Sequence, residues 1–269
     1  MFVDLDKYYV KSLASAATFI IIDKPTSVPQ DKVLLVHPEP FKIYNSIVMK
    51  HRPIVPQKEM ISSEANIHPT AIIEPNVVIG RKVEVGPRTH IQSNVTIGEF
   101  SVIGADVSIH SGSMIGTDAF YFKKEDNQFR KWRSCGRAVI HDNVEIGAGC
   151  TINKGVSGDT IIGKGSKLDS QVHMGHGSVL GEHCLLAAQV GIGGKTIIGD
   201  HVTLYGQVGI AQNLKIGNRV TVLAKSGVSK NLESDKTYFG YPAEEARTKY
   251  KELATLKSIT QQKKPISIQ

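Results

Sequence analysis

From Ile67 to Val228 an aliphatic side chain returns at every sixth position. The series Ile67, Ile73, Ile79, Val85, Ile91, Ile97, Ile103, Ile109 and Ile115 has no miss, restarts at Ile140, Ile146 and Ile152, then shifts phase and runs in steps of six from Ile162 to Val228. Glycine often follows the aliphatic residue, as at Gly80, Gly86, Gly98, Gly104, Gly163, Gly175, Gly181 and Gly193. A period of six suits neither an amphipathic helix nor an alternating strand. It suits a parallel β-helix of hexapeptides, in which short flat strands meet at corners. Three hexapeptides close one triangular coil, so residues 18 apart stack at a strand spacing of about 4.8 Å. The aliphatic residue points inward, and the next one lies at a corner where a side chain is a liability and glycine fits. The 24 such positions exclude a β-sandwich with chance spacing.

The 269 residues accommodate one all-β solenoid of about eight coils with small terminal pieces. Residues 1–60 lack the period. There, 18–22 and 33–36 read as buried strands, 39–50 as a helix with Phe41, Tyr44, Ile47 and Val48 on one face, and 51–62 as a linker. The solenoid is expected over 61–242, broken by an insert at 117–137. That insert carries Phe120, Tyr121, Phe122, Phe129 and Trp132 among six Lys and Arg residues. A long loop in a regular solenoid is commonly functional, and aromatics mixed with cations suit an anion or an acyl chain. A smaller break, 155–158, reads as a pocket wall. Pro242 predicts a helix from Ala243 to about Ile259, with Glu244 and Glu245 in its first turn and Ala246, Tyr250, Leu253 and Leu256 in one stripe. The tail 260–269 is expected to be loose.

Composition removes several function classes. No apolar run is long enough for a transmembrane helix, and the first residues lack the pattern of a secretory signal. Three cysteines, without metal-ligand spacing, fit reduced thiols in a cytoplasm. The net charge of +7 fits solubility or an acidic or phosphorylated partner. The basic residues are scattered and no recognition motif occurs, which argues against nucleic acid.

Chemistry is expected where side chains break the regular pattern. The densest cluster is Asp169-Ser170-Gln171-Val172-His173-Met174-Gly175-His176, followed by His183. His176 follows a corner glycine and is expected to point away from the interior. Asp169, seven positions earlier, is a candidate to orient the imidazole of a general base. Gly194 is 18 residues after His176, so its N–H is expected one coil above the ring, where it suits an oxyanion. Together these point to acyl transfer; the bland alternative is a set of surface histidines along a solenoid. A second alternative is a zinc site, with His183 and His201 stacked 18 apart and joined by His173 or His176.

The motifs Gly116-Thr117-Asp118-Ala119-Phe120, Gly136-Arg137-Ala138-Val139-Ile140-His141-Asp142-Asn143-Val144-Glu145-Ile146-Gly147, Gly158-Asp159-Thr160-Ile161-Ile162-Gly163 and Lys167-Leu168-Asp169-Ser170-Gln171 leading to Gly175-His176 resemble the UDP-3-O-acylglucosamine N-acyltransferase family of lipid A biosynthesis. The resemblance covers nearly the whole chain, from Phe2 to about Arg247. It implies a left-handed parallel β-helix, a homotrimer with active sites between subunits, and no cofactor. It further implies a 3-hydroxyacyl donor carried by acyl carrier protein and a UDP-sugar acceptor. It places the catalytic histidine on His176, its aspartate on Asp169 and the oxyanion amide on Gly194. The family's uracil-stacking aromatics fall on Phe2 and Tyr8, within a shortened uridine-binding domain at 1–60. A groove histidine of the family is replaced by Asn213, the asparagine between the two aromatics by Leu5, and a bulky residue limiting acyl length falls near Gly227. An acetyl-CoA-dependent sugar acetyltransferase and a non-catalytic paralogue of the same fold are the competing readings.

Overall fold

The computed structural model describes residues 1–262. Of the tail expected to be loose, 263–269 lie outside the described residues. The chain divides into two compact units, one of residues 1–56 with 121–135 and one of 57–120 with 136–269.

The second unit is the hexapeptide solenoid. Its strands are mostly two residues long and form three sheets of eight, ten and eight strands, parallel throughout except for the last strand of the ten-stranded sheet. The first face starts at Asn66–Ile67, the second at Ile72–Ile73 and the third at Val78–Ile79. Stacked partners are 18 residues apart, as in Ile67↔Val85 and Val85↔Ile103. The register then steps from Ile103 to Ile140 across the insert and from Ile140 to Ile162 across the smaller break, after which steps of 18 resume.

Most hexapeptides bury a second residue two positions before the aliphatic one. This inner column holds Val83, Thr89, Val95, Ser101, Val107, Ser113, Val144, Cys150, Ser166, Ser178, Cys184 and Thr196, all essentially without solvent exposure. Its polar members satisfy the backbone at the corners, as buried hydroxyls must. Thr89 Oγ1 donates to Gly104 O (2.7 Å) and accepts from Val107 N–H (3.2 Å). Ser113 Oγ does the same with Gly147 O (2.7 Å) and Cys150 N–H (3.1 Å).

The corner glycines have an identifiable cause. A Cβ on Gly86 would lie 2.6 Å from the Gly104 carbonyl carbon, and one on Gly147 would lie 2.6 Å from Ser170 N. The coils stack too closely there for any side chain. The left-handed backbone needed to turn the corners sits two residues further on; glycine supplies it at Gly112, Gly149, Gly165 and Gly177, but at many corners other residues do, such as Lys82, Arg88, Asn94, Phe100 and Asp106 with φ between 54° and 62°.

Leu232 and Tyr238 continue the buried stack past Val228. The helix expected from Ala243 starts later, as α3 (Ala246–Gln262). Glu244–Glu245 instead forms a short antiparallel strand with Tyr238–Phe239, so the two carboxylates do not occupy the first helical turn. Ala246 is buried, while Tyr250, Leu253 and Leu256 are exposed.

The first unit is a parallel three-stranded sheet in the order β1 (Phe2–Val3), β2 (Phe19–Ile22), β3 (Val33–Val36), preceded in its first connection by α1 (Tyr9–Leu13) and followed by α2 (Pro40–His51). Part of the insert belongs to this unit and is a hairpin, Phe122–Glu125 against Gln128–Lys131. Asp126 and Asn127 make its turn, with φ of 48° and 57°. Asn45 of α2 clasps the hairpin, its Nδ2 donating to Lys131 O (3.1 Å) and its Oδ1 accepting from Arg133 N–H (3.0 Å).

Candidate active site

Both breaks in the period leave the solenoid at one edge, where the third face turns into the first. The insert lies between Met114–Thr117 of the third face and Ala138–Ile140 of the first, and the smaller break between Thr151–Asn153 and Thr160–Ile162. His176 occupies this same edge one coil beyond the smaller break, since Ile152 stacks on Met174 and Met174 on Ile192. Gly194 and then Gln212 follow it in the same column, with Asn213 beside them.

His176 is buried, at 6% exposure, and its ring lies against Gly194. A Cβ on Gly194 would meet His176 Nε2 at 2.7 Å, Cδ2 at 3.0 Å and Cε1 at 3.1 Å. The backbone of this edge is fixed by the ladder on either side: Gly193 N–H donates to Ile210 O (2.8 Å), Lys195 N–H to His176 O (2.8 Å) and Asn213 N–H to Gly194 O (3.0 Å). The arrangement holds a titratable ring beside a bare main-chain segment.

Below the histidine the same column carries charges that spacing alone did not single out. Arg81 Nε pairs with Glu99 Oε2 (2.9 Å), and Glu99 Oε1 with Lys154 Nζ (3.7 Å). Lys154 is the residue one coil beneath His176, and its side chain is only 16% exposed. A partly buried cation one coil from a buried histidine suits an anionic group on a substrate.

Other expected members of the site are placed apart from it. Asp169 is exposed at the edge between the second and third faces, and its Oδ1 accepts from Ser170 N–H (2.7 Å). A whole face of the coil separates it from His176, so one chain does not bring the two together. His183 and His201 stack as expected, with centroids 5.4 Å apart and 14° between planes, but on the third edge of the coil, between the first and second faces. His173 points outward from the third face. These histidines do not converge within one chain, and among the described residues no group of three or more metal-ligating side chains forms.

Outward from the third face, His173 is followed in register by Gly191, Gly209 and Gly227. A Cβ on Gly191 or Gly209 would meet nothing within 4 Å, whereas over Gly227 lies the ring of Tyr241. Three stacked strands thus present a strip without side chains, starting in the coil of Gly194.

In the first unit, Phe2 packs among Trp132 (4.7 Å between centroids), Tyr44 (5.3 Å) and Phe41 (5.7 Å). Tyr8 is exposed at the end of the turn Asp6–Tyr8, and Leu5 at its start. Phe2 and Tyr8 are not a ring pair here. Beside the aromatic cluster is a cleft of about 570 Å³ whose lining includes Asp4, Phe41, Asn45, Lys123 and Arg130. Lys123 pairs with Asp4 and Glu125, and these pairings raise its pKa against the lowering effect of burial.

A family model described as bacterial transferase hexapeptide (six repeats) matches residues 64–99 and 159–194. UDP-3-O-acylglucosamine N-acyltransferase of Dechloromonas aromatica is 52% identical over 68 residues, 25% of this chain and 20% of that protein. The enzyme of the same name from Polynucleobacter asymbioticus is 32% identical over 142 residues, 47% of this chain and 40% of that one. The chain thus spans less than half the length of these curated relatives. Among solved structures, the UDP-N-acetylglucosamine O-acyltransferase of Moraxella catarrhalis is 30% identical, with a TM-score of 0.64 over 69% of this chain and 71% of that chain. The UDP-N-acetylglucosamine acyltransferase of Francisella novicida is 28% identical, with a TM-score of 0.57 over 67% of each. With its stacked hexapeptides and these likenesses, the chain belongs to the hexapeptide-repeat acyltransferases, proteins of the left-handed parallel β-helix fold.

Proposed function

We propose that the protein is an N-acyltransferase that moves a 3-hydroxyacyl chain from acyl carrier protein to the 2-amine of UDP-3-O-acylglucosamine. The observation that carries this reading is the buried His176 ring packed on bare Gly194, at the edge where both breaks leave the solenoid. The neutral amine attacks the thioester carbonyl and forms a tetrahedral intermediate. The His176 imidazole takes a proton from the attacking nitrogen, and the Gly194 N–H donates to the oxyanion. Collapse forms the amide and releases the carrier thiolate, which the imidazolium reprotonates. Lys154 is suited to a phosphate of the UDP-sugar. The names of the relatives, which are N-acyltransferases of that sugar nucleotide, support the acceptor.

The reading includes a homotrimer. On the first face Val102, Val139, Ile161, Val179 and Ile197 stack outward in register, an apolar strip beside the His176 edge that a second copy would cover. Only from another copy does an Asp169 carboxylate reach a His176 ring, so the orienting role of Asp169 belongs to the assembly. Phe2, Tyr8 and Asn213 remain the proposed nucleotide and groove contacts.

A second reading, O-acyl transfer to UDP-N-acetylglucosamine, is favoured by the name of the Moraxella catarrhalis structure. Assaying both acceptors with acyl carrier protein and CoA thioesters separates them. The expected outcome is an amide product, from the carrier-protein donor, on UDP-3-O-acylglucosamine. His176→Ala is expected to lower that rate by about 10²–10⁴-fold with an unchanged circular dichroism spectrum, and His183→Ala, on another edge, to leave it intact. An ester on UDP-N-acetylglucosamine would replace this reading with the second. Turnover from acetyl-CoA alone would point to an acetyltransferase, and binding without even a single turnover to a non-catalytic paralogue.

A further inference from the structure

On the edge that carries His176, the corner N–H groups follow one rule. Phe100 N–H donates to Arg81 O (3.0 Å), Lys195 N–H to His176 O (2.8 Å) and Asn213 N–H to Gly194 O (3.0 Å), each reaching the carbonyl one coil beneath. By that rule the partner of Gly177 N–H would be Lys154 O. The coil beneath ends at Lys154, where the smaller break begins, and Gly177 N–H donates to Thr160 Oγ1 instead (2.8 Å). Thr160 has no solvent exposure and is the inner-column residue of Thr160–Ile162, the strand that re-enters the solenoid after the break.

Thr160 also departs from its column. Thr89 and Ser113 accept from the inner-column residue of the next coil, Val107 and Cys150. The equivalent residue for Thr160 is Ser178, yet its hydroxyl takes the N–H one position earlier, beside His176. The strand around it is well anchored. Thr160 N–H donates to Arg137 O (2.9 Å), Ile161 N–H to Ser178 O (2.9 Å), and Arg137 Nη2 pairs with Asp159 Oδ2 (2.7 Å). The break folds tightly on itself, since a Cβ on Gly136 or on Gly155 would collide with Gly158 O.

We propose that Thr160 is a positioning residue for His176, acting through the peptide that joins His176 to Gly177. The inference rests on the acyl-transfer reading for the reaction the ring serves. Both ends of that peptide are tied: its C=O accepts from Lys195 N–H and its N–H donates to Thr160 Oγ1. Its plane fixes ψ of His176, and with it the direction in which the imidazole leaves the backbone toward Gly194. Without the hydroxyl this half-buried N–H loses its protein acceptor, and the peptide is free to rotate toward water. The ring then shifts on Gly194, against which it is closely packed.

The test compares Thr160→Val, which keeps the shape and removes the acceptor, with Thr160→Ser, which keeps the acceptor. Thr89→Val is the control, removing a hydroxyl with two bonds from a corner on another edge. Two quantities are read on the full chain. One is kcat and KM with the carrier-protein donor and UDP-3-O-acylglucosamine. The other is the NMR signal of His176 Cε1–H in histidine-labelled protein, assigned by its loss in His176→Ala. Thr160→Val is expected to lower kcat about 10²-fold, to leave KM unchanged and to move the His176 signal. Thr160→Ser is expected to restore both, and Thr89→Val to change neither. If Thr160→Val does not fold, Thr160→Cys decides, because the column already holds Cys150 and Cys184. Sulfur is a weak acceptor, so that variant is expected to show a smaller loss of kcat and a moved signal. If the folded variant keeps the kcat and the signal of an active wild type, or if Thr89→Val matches its loss, the positioning role is overturned and the acyl-transfer reading stands. If the wild type transfers nothing, yet the signal moves in Thr160→Val and returns in Thr160→Ser, the positioning role stands and the acyl-transfer reading fails.

Discussion

At Gly194 there is no room for a methyl group between backbone and imidazole. A Cβ would stand 2.7 Å from His176 Nε2, and the ring, at the free end of its side chain, would have to swing away. Gly194→Ala is therefore expected to keep the fold and its thermal midpoint but to lose about 10²–10³-fold in kcat, the scale of removing an oxyanion donor or misplacing its partner. Steady-state kinetics beside a melting curve checks it; full activity with a displaced ring would remove Gly194 from the site. The pairing of residues 176 and 194 was legible because stacking by 18 is arithmetic. The relation of Asp169 to His176 was not, because seven positions along a hexapeptide coil reach the next edge of the triangle instead of the same one. The bare strip of Gly191, Gly209 and Gly227 was equally legible by that arithmetic, but only if outward positions are read as well as inward ones.

Among the elements, the inner column explains two of the three cysteines. Cys150 and Cys184 occupy it with 0% and 1% exposure, while Cys135 belongs to the first unit and is half-buried. Burial raises both column thiols above their ordinary pKa of 9.0. The folded state thus holds these protons more tightly than the unfolded chain. Their stabilising contribution is complete below the unfolded pKa and is lost as pH rises through the folded one. Two outcomes are expected. Native protein at neutral pH should alkylate at Cys135 alone. The denaturation midpoint should fall from about pH 9 upward, less so in the Cys150→Ala, Cys184→Ala variant; equal slopes would deny the thiols that role. The hairpin in the insert, by contrast, was missed: its signal was Asp126-Asn127, two residues that tolerate the left-handed backbone of a tight hairpin turn. Its clasp by Asn45 was hidden, because a contact across 86 positions leaves no periodic trace.

For the whole molecule the decisive quantity is the number of copies. A stripe of five stacked β-branched residues along the first face is continuous with the edge that carries His176, and closed threefold symmetry would bury it in every copy. Placing a carboxylate in its middle, with Ile161→Asp, is expected to give a smaller species in sedimentation and to lose turnover with it, while the solenoid retains its strand signal. A monomeric wild type at micromolar concentration would sink the shared-site arrangement and with it the route by which Asp169 meets His176.

Because the coils from Ile162 to Val228 repeat at 18 residues, that part of the solenoid changes size only in whole steps. Recombination between neighbouring repeats of the gene adds or removes one coil and leaves the phase of all others intact. If a coil were gained between Gly209 and Gly227, Tyr241 would move about 4.8 Å further from Gly194. A lineage built on this chain can therefore lengthen or shorten its stacked faces by copying, in steps of one strand spacing, without a single amino-acid substitution.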